Sequence, residues 1–170
     1  DVPIRMPDTT GNVANLASFN GQEYFLPTAQ SKAYSQVHFF GTATDAGGTP
    51  AGGDFTLTFA DGSTETINVL FRDWVQTSGT PGDHPALLAD RVTTGGSTSG
   101  PFSIFHVTKP ISEANRGKVL ASIKLPPTSG RPGAVRAYLM ALTLEEADGG
   151  FQLPILAGNA NFPNDLTPPV

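Results

Sequence analysis

The chain has 170 residues, enough for one domain with a sizeable core and few for two; only 38% are apolar and 15% charged. Gly and Pro make up 34 of the 170 residues, which excludes a helix bundle or coiled coil, while 11 Phe argue against wholesale disorder. The net charge is −5 and the six Arg and four Lys are scattered, which excludes a phosphate-backbone binder and electrostatic docking on an anionic membrane.

Short strands are predicted at Glu23–Leu26 and Tyr34–Thr42. A Gly-rich loop over Asp45–Gly53 follows, with Gly47-Gly48 and Gly52-Gly53 inside it. The clearest element is Asp54–Ala60, where Phe55, Leu57 and Phe59 alternate with Thr56 and Thr58. That period of two is a strand with one buried and one wet face. Asp61-Gly62 predicts a two-residue type I′ hairpin turn. The return strand is Ser63–Phe71, with Ile67, Val69 and Phe71 on one face. Further strands are predicted at Pro85–Thr93, Phe102–Thr108, Lys118–Leu125 and Ala134–Glu145. Ile111–Arg116 reads as one helical turn, with Ser112 as its N-cap and Gly117 as its stop. Tyr138–Leu142 is apolar on both parities, the pattern of a central strand covered on both faces or of a buried helix; the strand reading is the better one, because the segment follows a Gly/Pro loop and sits among strands.

Eight or nine strands with turn-rich connections give an all-β fold, an antiparallel β-sandwich of the jelly-roll or galactose-binding-like kind. Residues 1–150 form the sandwich module and 151–170 a C-terminal extension and Pro-rich interdomain linker. Long loops are expected at Asp45–Gly53, Thr77–His84, Thr94–Gly100 and Pro126–Gly133, where a rigid sandwich carries its binding function.

Catalytic signals are sparse. The chain has no Cys, so disulfides, thiolate nucleophiles and zinc–thiolate sites are out. His38 and His106 sit inside strands beside Phe39, Phe40 and Phe105, where packing or a hydrogen bond within the sheet accounts for them. His84, in the sequence Gly82-Asp83-His84-Pro85, reads as a loop residue able to touch a ligand. Glu145-Glu146 is the only adjacent carboxylate pair, and consecutive strand residues point to opposite faces, so it makes no glycosidase site. No Gly-x-Ser-x-Gly elbow and no phosphate loop before a helix occur. A non-catalytic domain without a cofactor is therefore expected. A structural calcium held by loop carboxylates leaves almost no motif; Asp45 and Asp54 are its candidate ligands, with Asp83 and Asp90 as conceivable additions. The lone Trp74, where Phe71-Arg72-Asp73-Trp74 leaves a strand, could meet the C–H face of a sugar, with Arg72, Asp73, Asp83, His84 and Arg91 bonding its hydroxyls. The competing account is that Trp74 plugs the end of the sandwich.

Several runs together resemble a bacterial accessory domain. They are Asn20-Gly21-Gln22, Tyr34–Gly41, Phe55–Ser63, Asp73-Trp74, Val119–Pro126 and Ala137–Leu144. Over roughly Val2 to Glu146 the chain resembles the galactose-binding-like (discoidin-type) β-sandwiches attached to secreted glycoside hydrolases, especially of actinobacteria. Its terminal Asp165–Val170 looks like a lead-in to an immunoglobulin-like or chitobiase-like domain. The resemblance implies a carbohydrate-binding or accessory module, secreted, with a neutral glycan and a neighbouring catalytic domain in the same chain as partners. It transfers no individual sugar-binding residue. The alternatives are a structural spacer or docking domain without a ligand, and a small hydrolase, which would need a cleft with two close titratable groups. Lys124 and Pro-flanked strand ends favour a monomer.

Overall fold

The computed structural model describes residues 2–3, 17–77, 83–92, 98–127 and 136–152, with the backbone alone for residues 83–84, 87, 89–92 and 98–99. Most of the expected loops at Thr77–His84, Thr94–Gly100 and Pro126–Gly133, and the extension beyond residue 152, lie outside the described residues.

Two antiparallel sheets pack face to face. Their strands are β1 (Ala17–Ser18), β2 (Glu23–Phe25), β3 (Tyr34–Thr44), β4 (Ala51–Phe59), β5 (Thr64–Phe71), β6 (Asp83–Val92), β7 (Thr98–Pro110), β8 (Leu120–Lys124), β9 (Arg136–Glu146) and β10 (Phe151–Gln152). The larger sheet has the order β1-β9-β3-β7-β6, with β10 also on β9; the smaller has β2-β8-β4-β5. The chain passes from sheet to sheet in the manner of a jelly roll. The fold is thus the expected all-β sandwich. Among the described residues it has ten strands where eight or nine are expected, and β1 and β10 are two-residue pieces too short to leave a periodic signal.

The core lies between the sheets. Phe55, Leu57 and Phe59 of β4 and Val69 and Phe71 of β5 are buried, as their alternation predicts. Tyr24, Phe39, Phe105, Ile123 and Leu139 meet them from other strands. Phe55 takes Phe19 edge-on at 5.3 Å and Phe39 at 4.8 Å, close to preferred aromatic geometries. Tyr34 is buried too, its hydroxyl donating to the Gln30 carbonyl, and burial pushes its pKa up to about 12, with Glu146 adding to the effect.

Three local expectations change. Gly52-Gly53 belong to β4, not to the preceding loop, which ends before Ala51. A Cβ on Gly52 would lie 2.0 Å from the Val69 carbonyl oxygen, so the glycine answers to close strand approach. The β4–β5 hairpin is not a type I′ turn, because only Gly62 has positive φ (82°). Gly62 N–H donates to Phe59 O and Phe59 N–H to Ser63 O, which makes a three-residue loop with the glycine in the left-handed position. Asp61 selects it by accepting from Ser63 N–H and Oγ at 2.9 and 2.6 Å. Finally, residues 111–117 make an isolated turn rather than a helix: Ser112 O accepts from Asn115 and Arg116 N–H, but the Ser112 hydroxyl caps nothing. It donates instead to Glu65, which also accepts from Ser112 N–H and Asn115 Nδ2, at 2.7–2.9 Å. Lys118 adds bonds to Ser63 (2.8 Å) and Asp61 (3.2 Å), so the turn is stitched to the hairpin.

Candidate functional site

The segment that leaves β5 crosses from the small sheet to the large one. Phe71 still pairs with Ala51 of β4. Arg72 O then accepts from Ala43 N–H, Trp74 N–H donates to Ala43 O, and Ser103 N–H donates to Trp74 O, at 2.7–2.9 Å. The crossing backbone thereby wedges between the ends of β3 and β7, whose own pairing stops at Gly41 and Phe105. Gly41 permits this: a Cβ there would lie 2.6 Å from the Phe71 ring and 2.4 Å from Tyr138 O.

The crossing fixes the roles of three expected ligand residues. Asp73 is 4% exposed, and its carboxylate accepts from Ala46 N–H (2.7 Å), Gly47 N–H (3.0 Å) and Val75 N–H (3.3 Å). Those bonds hold the loop after β3, where Asp45 is turned into the left-handed region (φ 57°). A carboxylate so engaged organises backbone rather than sugar hydroxyls. Trp74 is half-buried, with its ring 4.4 Å from the Phe102 ring and inclined by 33°. Its ring therefore packs on Phe102 of β7, in the large sheet. Beside it Val75 is 58% exposed. Arg72 is half-buried in the crossing itself.

The remaining expected ligands are spread along the edge strand. Asp83 and His84 are not in a loop but at the start of β6, His84 in register with His106. Arg91 is near its other end, opposite Ser99. Phe102, which carries Trp74, pairs with Ala89. At ~3.3 Å per residue, four strand positions put His84 about 13 Å from Phe102 along the ladder, and Arg91 lies on the opposite side. The expected six residues thus form one contiguous group, 72–74, and two separate strand ends. Asp54 lies in β4 and accepts from Asn68 at 2.7 Å, away from Asp45. Among the described residues no group of three or more His, Asp or Glu is arranged to hold a metal ion.

A second constellation was not legible from sequence. On the outer face of the large sheet, His38 Nε2 lies 3.0 Å from Glu145 Oε2 and His38 Nδ1 lies 3.0 Å from His106 Nε2. The Thr108 hydroxyl is 3.1 Å from His38 Nδ1 and 3.2 Å from His106 Nε2. Gln36 Nε2 donates to the same Glu145 oxygen at 3.1 Å. Phe40 stacks on His106 at 4.5 Å and 8°. His38 is only 3% exposed, so it is a sheet histidine held by hydrogen bonds. Glu145 and Glu146 diverge as strand geometry requires, the second pairing with Lys32 at 3.2 Å. The sequence distances explain why the cluster is hidden: His38 is 68 residues from His106 and 107 from Glu145.

No known protein family matches this chain. No curated protein matches it either.

Proposed function

We propose that this domain is a non-catalytic carbohydrate-binding module of a secreted, multidomain glycoside hydrolase, and that it takes a neutral glycan at the ledge formed by Trp74 and Phe102. The observation that carries the reading is the pair of aromatic rings 4.4 Å apart beside exposed Val75, at a point where the backbone is pinned between two strands. A rigid aromatic surface meets the apolar face of a pyranose without losing much side-chain entropy. The chain as a whole is weakly charged, with 15% charged residues, which suits a neutral ligand better than an ionic one. The resemblance to galactose-binding-like accessory domains supports the same class.

Affinity electrophoresis against neutral plant, fungal and bacterial polysaccharides tests the reading. Trp74→Ala is expected to weaken a retarding interaction about 30-fold, near ~2 kcal/mol for loss of an aromatic anchor, with circular dichroism unchanged. No retardation by any neutral glycan would sink it. The second reading, a spacer without a ligand, draws on Asp73, whose buried carboxylate serves only the fold among its described bonds. Unfolding on Trp74→Ala would favour that reading.

A further inference from the structure

Asn20-Gly21 is the only Asn-Gly pair in the sequence, and it lies in the turn that carries the backbone from β1 in the large sheet to β2 in the small one. Asparagine is a thermolabile residue, and a following glycine makes it more so, because no Cβ crowds ring closure. The Gly21 backbone nitrogen, once it has given its proton to base, can attack Asn20 Cγ. The Cγ–Nδ2 bond breaks, ammonia leaves after taking up a proton, and a five-membered imide remains. Water then opens either imide carbonyl, which leaves aspartate or isoaspartate at position 20. The net change is one water taken up and one ammonia released. Asn20 is exposed, so water and base reach its amide.

We propose that Asn20 is the spontaneous deamidation site of this chain, and that the fold gates it through one hydrogen bond, from Gly21 N–H to Pro126 O at 2.8 Å. While that bond is closed, the proton that must leave is held by a carbonyl and kept from base. The surroundings keep it closed. Gly21 is in the left-handed region (φ 78°), and Pro127 Cα stands 3.4 Å from where a Cβ would be. Gln22, 8% exposed, donates from Nε2 to Ser18 O at 2.8 Å and accepts at Oε1 from Asn20 N–H at 2.9 Å. Its carbonyl accepts from Leu125 N–H at 2.9 Å. The turn is clasped on both sides of the reacting pair.

The two Asp-Gly pairs, which close to the same imide by losing water, are restrained further. Closure there needs a neutral carboxyl, since an ionised one is a poor target for the nitrogen. Asp61 is held ionised: donation from the Ser63 hydroxyl and N–H, with Lys118 adding to it, lowers its carboxyl to about 2. Gly62 N–H is bonded to Phe59 O at 2.9 Å. Asp148 Oδ1 accepts from Gly150 N–H at 3.1 Å, and Gly149 N–H donates to Glu146 O at 3.1 Å. In both pairs the carboxylate and the attacking nitrogen are engaged. At Asn20-Gly21 the attacking nitrogen is bonded, and among the described residues no partner holds the Asn20 side-chain amide.

Peptide mapping by mass spectrometry, on the full chain incubated at pH 8 with and without denaturing urea, reads the conversion at each Asn. Amide hydrogen exchange at the same pH reads the opening of the Gly21 bond. In urea, Asn20 is expected to convert ahead of every other Asn. In the folded chain its conversion should be slowed by the factor that protects Gly21 N–H from exchange, because one opening releases both the proton and the nitrogen. Gln22→Ala removes two of the clasping bonds and is expected to raise both folded rates together, about tenfold, with no change in urea. Equal conversion with and without urea would overturn the gate, as would a slowing that departs from the Gly21 protection by about tenfold or more. Faster conversion at another Asn in urea would overturn the choice of site. Should Gln22→Ala fail to fold, the comparison of the two factors in the wild-type chain decides by itself.

Discussion

The outer faces of the two sheets follow the same alternation and end in different states. On the small sheet, the outward residues Thr64, Thr66 and Asn68 of β5 are exposed, and Thr56 and Thr58 of β4 are half-exposed opposite them. On the large sheet, the outward residues His38, Phe40, Thr42 and Thr143 are buried. Hydroxyl and amide groups on the first face keep their water. On the second they need protein partners, which His38 and Thr143 find and, among the described residues, the Thr42 hydroxyl does not, because a buried polar group without one costs about 1–3 kcal/mol. The His38–His106–Glu145 cluster and the Thr143–Pro3 bond are what that requirement produces. An alternating strand therefore announces which face is inward, but not whether the other face is wet.

Substitutions on the two faces test the contrast. His38→Ala removes the bridge between Glu145 and His106 and leaves a cavity beneath Phe151. A loss of ~3 kcal/mol in urea unfolding at pH 7 is expected, and a loss under 0.5 kcal/mol would mean the face is solvated after all. Glu65→Gln probes the stitching beside the small sheet. Burial alone would raise the Glu65 carboxyl, but donation from Asn115, from the Ser112 hydroxyl and from Ser112 N–H outweighs it, so the pKa lies below the usual carboxylate range. Its contribution is then fully present above the unfolded pKa and disappears as pH falls through the lower, folded one. Glu65→Gln should thus destabilise the domain at pH 7 and converge with wild type in strong acid; an equal deficit at both would contradict the assignment. The smallest effect belongs to Thr66→Ala, whose exposed hydroxyl has no partner to lose to burial, and a change within about 0.5 kcal/mol is expected.

What the sequence discloses depends on the range of the interaction that decides each feature. The β4–β5 hairpin is legible because Phe55, Leu57, Phe59 and Val69 are sorted by the nearest-neighbour pleat. Its turn type is not, because the Asp61 carboxylate, a side-chain effect, selects the loop. Pro85 and Gly82 make residues around His84 look like a loop, yet β6 is an edge strand, where a proline costs no ladder bond on its open side. The role of Asp73 depends on a loop 26–27 residues earlier, and the outer-face cluster on a register across β3, β7 and β9. Neither leaves a local pattern. Trp74 is conspicuous at its strand exit, but its companion Phe102 comes from β7, the second strand further along the chain.

The contrast between faces also frames the proposed function, since the Trp74–Phe102 ledge and the exposed threonine face of the small sheet are two different places for a glycan to rest. The most direct measurement is amide chemical-shift mapping during titration with soluble neutral oligosaccharides. The account predicts shifts concentrated at Trp74, Val75, Phe102 and Ser103, with the amides of Thr56, Thr58, Thr64 and Thr66 unmoved. Shifts centred on the threonine face, or none with any neutral glycan, would contradict it.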